Sequence, residues 1–181
     1  MRILAKRMAV LATVILFSAL LVGMKRPVFK SVGMNHFVNL MFKPLDLFSP
    51  IVEVDCFLWK EGYSAIYPLK PKYRDLYMVG LKCDEVNIPV TLKFDRELLI
   101  EFLKDGQVVK SQIITSFESG ALAAGKSTEL CKERSLMEFE MPLDGKYWDD
   151  LFLRVTVLRP AESLKKYEKG MKFYVAVSFI P

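Results

Sequence analysis

Residues 120–127 carry the part of this sequence that most resembles a ligand-binding motif. They read Gly-Ala-Leu-Ala-Ala-Gly-Lys-Ser and place Gly120, Gly125, Lys126 and Ser127 at the fixed positions of a P-loop. In a P-loop, backbone amides hold phosphates, the lysine reaches the terminal phosphate, and the serine hydroxyl binds magnesium. The segment after Ser127 is short for the helix that should follow, and too little chain remains for a parallel α/β domain. We therefore interpret the match as a chance loop, predict no cofactor, and keep nucleotide binding as a third, disfavoured function.

The three cysteines and the single histidine offer little catalytic chemistry. Cys56 falls on the apolar side of a predicted strand, which indicates a buried thiol. Cys83 and Cys131 lie near predicted loops and are candidates for a disulfide. His36 alone cannot form a His-rich metal site and makes a Ser-His-Asp or Cys-His arrangement implausible. The sequence therefore predicts no catalytic residue and no metal site, and we expect a protein that is not an enzyme.

Five aromatic residues between positions 59 and 77 form a second candidate site. They are Trp59, Tyr63, Tyr67, Tyr73 and Tyr77, with lysine and arginine residues between them. Such rings can be displayed on a β-sheet for contact with a sugar or a protein. The alternative is that they fill the core and cover an edge of the domain, which we favour. Carbohydrate binding through these rings is the second function that the sequence suggests.

The chain from residue 49 onward alternates apolar and polar residues in short runs, as β-strands do. The predicted strands cover 52–58, 63–69, 76–81, 88–94, 98–103, 108–114, 136–141, 151–158 and 172–180. Asp105-Gly106 is the strongest hairpin signal, although residues 95–104 alone would also suit a helix. We predict an all-β domain over 49–181, with two packed antiparallel sheets in an immunoglobulin-like or similar sandwich.

Residues 8–24 form an uncharged apolar stretch that would span about 26 Å as a helix, enough for a thin hydrocarbon core. Basic residues flank this stretch on both sides. It is longer than a usual signal-peptide core and lacks a small-x-small cleavage site, so we predict an uncleaved signal anchor within 1–27. The domain is then expected on the periplasmic or extracellular side of the inner (cytoplasmic) membrane. Cleavage and secretion is the alternative.

Residues 28–48 connect the predicted anchor to the domain and are rich in phenylalanine. Met34, Phe37, Val38 and Met41 follow helical spacing, so a short amphipathic helix on the membrane or on the domain is one interpretation. The other is a linker whose phenylalanines cover one end of the sandwich.

Residues 1–30 hold six basic and no acidic side chains, leaving 20 basic residues against all 21 acidic ones. This nearly neutral remainder argues against nucleic-acid binding.

Five short motifs along the chain resemble an uncharacterised family of exported bacterial β-sandwich domains. They are Phe42-Lys-Pro-Leu-Asp46, Glu53-Val-Asp-Cys-Phe57, Tyr63, Ile88-Pro-Val90 and Leu143-Asp-Gly-Lys-Tyr147. The resemblance implies export and a sandwich fold, and it brings no activity or catalytic residue. We therefore expect a membrane-anchored envelope protein of unknown role, with a non-enzymatic domain that binds another protein or takes part in an assembly.

Overall fold

The structure, a computed structural model, describes residues 37, 41, 44–84, 88–89, 96–117, 130–131 and 133–178, with the backbone alone for 88–89 and 130–131. Its strands are β1 Val52–Asp55, β2 Ser64–Leu69, β3 Leu76–Cys83, β4 Ile88–Pro89, β5 Glu97–Lys104, β6 Gln107–Ile114, β7 Leu130–Cys131, β8 Glu133–Glu140, β9 Leu151–Arg159 and β10 Met171–Val177. A 3-10 helix over Glu162–Tyr167 lies between the last two strands. The described chain is thus mostly β, as its alternating pattern predicts.

Eight of these strands form two antiparallel sheets of four. Sheet A has the order β1-β10-β3-β8, and sheet B has the order β2-β9-β5-β6, while β4 and β7 pair separately. Consecutive strands mostly lie in different sheets, and only β5 and β6 form a hairpin within one sheet. The order differs from that of an immunoglobulin constant domain, where the first two strands share a sheet. The two-sheet antiparallel architecture is confirmed.

The core lies between the two sheets, where every second side chain of each central strand is buried. The ring of Phe102 in β5 lies 4.8 Å, centroid to centroid, from that of Phe139 in β8. Tyr67 of β2 stacks on Phe173 of β10 at 5.7 Å. Both pairs join a strand of sheet B to a strand of sheet A. This burial of apolar surface is the main source of stability for such a domain.

The hairpin at Asp105-Gly106 is confirmed, and the helical alternative for 95–104 is wrong. Both turn residues have positive φ, 52° at Asp105 and 76° at Gly106, which is the backbone that a two-residue type I′ turn requires. The eight residues of β5 pair with β6 on one side and with β9 on the other. Pairing on both sides satisfies the amides and carbonyls that a helix would bond internally.

Strand boundaries differ from the predicted ones at several places. The first strand ends at Asp55 rather than at residue 58, since the chain turns there and Lys60 N–H donates to Phe57 O at 2.9 Å. Cys56 and Leu58 nevertheless remain buried. Of the strand predicted at 88–94, the described part is β4 alone. The short strand β7 and the 3-10 helix were not predicted.

The N-terminal predictions fall largely outside the described residues. The apolar stretch 8–24 is among those outside, and no helix within the described residues has the length and apolarity to cross a membrane. Phe37 and Met41 are both helical, and both side chains are exposed. Phe48 is partly buried and packs against the core.

A polar contact fastens the segment 44–50 to the loop between β2 and β3. Lys72 Nζ donates to Asp46 Oδ2 at 2.7 Å, and Tyr73 Oη donates to Asp46 Oδ1. The hydroxyl of Tyr77 in turn donates to Tyr73 O and accepts from Tyr73 N–H, both at 3.2 Å. The hydrogen bonds from Lys72 and Tyr73 lower the pKa of Asp46 from 3.8 to about 2. The ionised carboxylate of Asp46 thus holds segment 44–50 against the loop between β2 and β3.

Because this folded-state pKa lies below the usual value, the contribution of Asp46 to stability is present above pH ~4 and is lost as the pH falls towards 2. We expect Asp46→Asn to remove part of the fall in unfolding free energy over that interval and to leave the rest of the pH profile unchanged. Urea unfolding at pH 2 to 7 measures this. Asp55→Asn, at an exposed position of β1, is the control, and an equal effect of both substitutions would contradict the assignment.

Candidate protein-interaction surface

The solvent-facing side of sheet B, called the outer face of sheet B below, is unusually apolar. The strand registers align its side chains in three rows that run across β2, β9, β5 and β6. In that order the first row is Pro68, Phe152, Leu103 and Val108, the second is Ile66, Arg154, Glu101 and Ser111, and the third is Ser64, Thr156, Leu99 and Ile113. The first row contains no polar side chain at all.

Several of these apolar side chains remain in contact with water. Nine large hydrophobic side chains are exposed among the described residues, and five of them belong to strands of sheet B. Those five are Ile66, Val108, Ile113, Phe152 and Leu158. Single exposed hydrophobic residues are ordinary, whereas several on one sheet face make that face a candidate binding surface.

An ion pair lies in the middle of this face. Arg154 Nε donates to Glu101 Oε2 at 2.6 Å, and Glu101 is only 8% exposed. Leu103 and Leu99 flank Glu101 in the neighbouring rows and help to keep water from it. The pair neutralises both charges in place. A partner can therefore cover this face without having to bury an unpaired charge.

The corresponding face of sheet A is polar and charged. Lys172 Nζ lies 2.9 Å from Glu53 and 2.8 Å from Asp84, and Lys82 Nζ lies 3.6 Å and 3.2 Å from the same two carboxylates. This closed group of four charges is partly exposed, so each ion pair adds little stability. Charged ladders of this kind are typical of a sheet face that stays in water. The two outer faces of the sandwich therefore differ in character, and the outer face of sheet B is the one suited to binding.

A cleft opens at one end of the outer face of sheet B, next to its first row. It has a volume of about 340 Å³ and is lined by Pro68, Leu69, Lys70, Pro71, Trp148, Asp149, Asp150, Leu151 and Phe152. Lys104 Nζ donates to Asp149 O at 2.9 Å and lies 3.7 Å from the Asp150 carboxylate, so it ties this loop to β5. This cleft was not predicted from the sequence, although Trp148 directly before two aspartates was a usable signal.

The five aromatic residues predicted as a ligand site are core residues. Trp59, Tyr73 and Tyr77 are buried, while Tyr63 and Tyr67 pack against the core. The hydroxyls of Tyr63 and Tyr67 are 3.0 Å apart and hydrogen-bond to each other. Burial raises the pKa of Tyr73 to about 12. Three of the five rings are therefore closed to a ligand, and the other two are partly buried.

The described cysteine side chains are buried free thiols. Cys56 Sγ lies 3.9 Å from Met171 O, and burial raises the pKa of this thiol to about 12, which makes it unreactive. Cys83 Sγ donates to Lys169 O at 3.8 Å and is not part of a disulfide. The disulfide predicted between Cys83 and Cys131 is therefore not formed in this structure. The thiol of Cys83 faces the Lys169 carbonyl instead. The side chain of Cys131 lies outside the described residues.

The P-loop-like match, Gly120, Gly125, Lys126 and Ser127, also lies outside the described residues. The chain on either side of it is informative, however. β6 ends at Ile114, and β7 begins at Leu130 and is followed by β8. A P-loop needs a helix that begins at its lysine and serine and runs on for several turns, and the described residues that follow, 130–131 and 133–140, are strands. Among the described residues, no group of histidine, cysteine and carboxylate side chains could hold a metal ion.

The fold and this surface define a β-sandwich domain with one charged and one apolar outer face. No protein-family model matches the chain, and no curated protein does. A solved crystal structure of a protein from Sulfurospirillum deleyianum is similar to it, with 9% sequence identity and a TM-score of 0.47. That similarity covers 71% of this chain and 98% of the other.

Proposed function

We propose that this chain is a membrane-anchored envelope protein and that its β-sandwich is a non-enzymatic protein-interaction module on the periplasmic or extracellular side. The observation that carries the proposal is the exposed apolar outer face of sheet B. The outer face of sheet A, on the opposite side of the sandwich, carries charged side chains instead. The partner presents an apolar protein surface to Ile66, Phe152 and Val108. Its polar groups meet the central row, where Arg154 is still 34% exposed in its side chain.

The anchor part of the proposal is supported by the sequence and by the segment that follows the anchor. Residues 1–27 combine basic flanks with an uncharged apolar stretch. Phe37, Met41 and Leu45 are exposed apolar side chains at intervals of four residues between that stretch and the sandwich. Apolar side chains at this position suit the boundary between headgroups and acyl chains.

A photo-crosslinking experiment on the full-length chain in its native membrane tests the binding surface. A photoreactive phenylalanine analogue at Val108 is expected to give a discrete protein adduct, and the same analogue at Asp55, on the charged face, is expected to give none. Adding Phe152→Asp and Ile66→Asp should abolish the adduct, because the partner would then have to desolvate two carboxylates. An adduct that survives both substitutions in folded protein, or equal adducts from both positions, would refute the proposed surface.

The anchor is tested separately on the same chain. After alkaline washing, the full-length protein is expected to stay in the membrane fraction, and a chain without residues 1–27 is expected to be released. A mature N-terminus beyond residue 24 would instead indicate cleavage and secretion. Carbohydrate binding through Trp59 to Tyr77 remains the less favoured alternative, since three of these rings are buried and the other two pack against the core. Nucleotide binding at 120–127 is not favoured either, since strands follow the match.

A further inference from the structure

The cleft beside Trp148 adjoins the first row of the outer face of sheet B and shares Pro68 and Phe152 with it. Its volume of about 340 Å³ falls in the range of small-molecule sites, which are mostly apolar with a few polar groups at their rims. Its apolar lining consists mainly of Trp148, Pro68, Phe152 and the buried Pro71. The polar groups are one ammonium, that of Lys70, and the carboxylates of Asp149 and Asp150.

The charges around the cleft balance, and this limits the class of ligand. Lys104 lies 3.7 Å from the Asp150 carboxylate, so two ammonium groups accompany the two carboxylates. The side chain of Asp150 is 83% exposed and keeps acceptor capacity towards water or a ligand. The cleft thus has no net charge, and it offers hydrogen-bond donors and acceptors beside the Trp148 ring. Such a site does not favour the binding of an ion. It suits a neutral molecule with many hydroxyl groups and an apolar face.

We propose that this cleft binds a neutral oligosaccharide, with one pyranose ring against Trp148 and its hydroxyls directed at Asp149, Asp150 and Lys70. The C–H face of a pyranose packs on an indole, while each hydroxyl both donates to a carboxylate and accepts from an ammonium. The prolines and Phe152 give the sugar a preformed wall, which limits the conformational entropy lost on binding. This site contains none of the aromatic residues between 59 and 77, and it shares two residues, Pro68 and Phe152, with the outer face of sheet B.

The two tryptophans of the chain provide a matched pair for the test. Trp59 is buried with 9% exposure. Trp148 is partly buried, with one side packed against the core, and it also lines the cleft. The full-length protein in detergent is titrated with chitotetraose, cellotetraose and maltotetraose while the tryptophan fluorescence is recorded. We expect at least one of these sugars to give a saturable change in the Trp59→Phe variant.

In Trp148→Ala the spectral change is expected to disappear, and calorimetry is expected to show affinity about tenfold weaker. Asp149→Asn with Asp150→Asn should weaken binding while leaving the fold intact, since both side chains are exposed. The proposal is overturned if none of the three sugars binds, or if binding survives Trp148→Ala. It is equally overturned if tetralysine or tetraproline gives a response that depends on Trp148 and no sugar does. Trp148 belongs to the cleft and to none of the three rows, so Trp148→Ala is expected to leave the crosslinks from Val108 unchanged, and the two proposals can fail independently.

Discussion

The Phe102→Ala variant is expected to be less stable than the natural protein by about 3 to 5 kcal/mol. Phe102 is fully buried in β5, and its ring contacts Phe139 of the opposite sheet at 4.8 Å between centroids. Removing the ring loses its transfer free energy and leaves a cavity between the sheets, which rigid β-strands close only in part. A loss of this size is a large fraction of the stability of an ordinary domain, so the variant is expected to be partly unfolded at 37 °C.

Urea unfolding followed by circular dichroism measures this loss. Phe152→Ala is the matched control, because this phenylalanine lies on the opposite side of sheet B and is 40% exposed. Its removal is expected to change the unfolding free energy by less than about 1 kcal/mol. Similar losses in the two variants would show that the sheets do not enclose a core at Phe102.

The Gly80→Ala variant is expected to be destabilised by about 1 to 3 kcal/mol, and more if the strands separate. Gly80 lies in β3 opposite Tyr174 of β10, and the tyrosine ring covers the glycine. A Cβ at position 80 would lie 2.7 Å from Tyr174 Cε1 and 2.8 Å from Arg134 O. The first contact can be relieved by moving a side chain, but the second involves the backbone of β8.

This difference gives the prediction an internal test. Adding Tyr174→Ala to Gly80→Ala should not restore stability, because the contact with Arg134 O remains. Gly62→Ala is the control for a substitution with free space, since nothing lies within 4 Å of its added Cβ. That variant carries only the strain of a positive φ, about 1 kcal/mol. Full recovery in the double variant would show that the tyrosine alone excludes a side chain at position 80.

The local parts of the fold could be predicted from the sequence because single residues determine them. Asp105-Gly106 supplies two positive φ angles, and this fixed the hairpin between β5 and β6. The alternation of Leu151, Leu153, Val155 and Val157 located β9 and its buried side. The two-residue strand β7 was missed because so short a segment has no period to recognise.

The outer face of sheet B could not be predicted from the sequence because its rows exist only once the strands are aligned. Pro68, Phe152 and Val108 come from three distant parts of the chain and become neighbours through the registers of β2, β9, β5 and β6. The sequence contained a partial signal of this apolar face, since the strand from Leu98 to Leu103 is apolar on both of its sides apart from Glu101. The aromatic segment 59–77 misled for the opposite reason, because a ring that fills a core and a ring that binds a ligand look alike in sequence.

The position of β10 in sheet A has a consequence for the order in which the protein can form during synthesis. β10 lies between β1 and β3, so the first and third strands of the chain have to wait for residues 171–177 before they are joined. Until then β1 has no neighbour in its sheet, and one edge of β3 stays open. A ribosome that has made only the first 170 residues therefore still carries an incomplete sheet A, in which the apolar sides of β1 and β3 are not yet joined by β10.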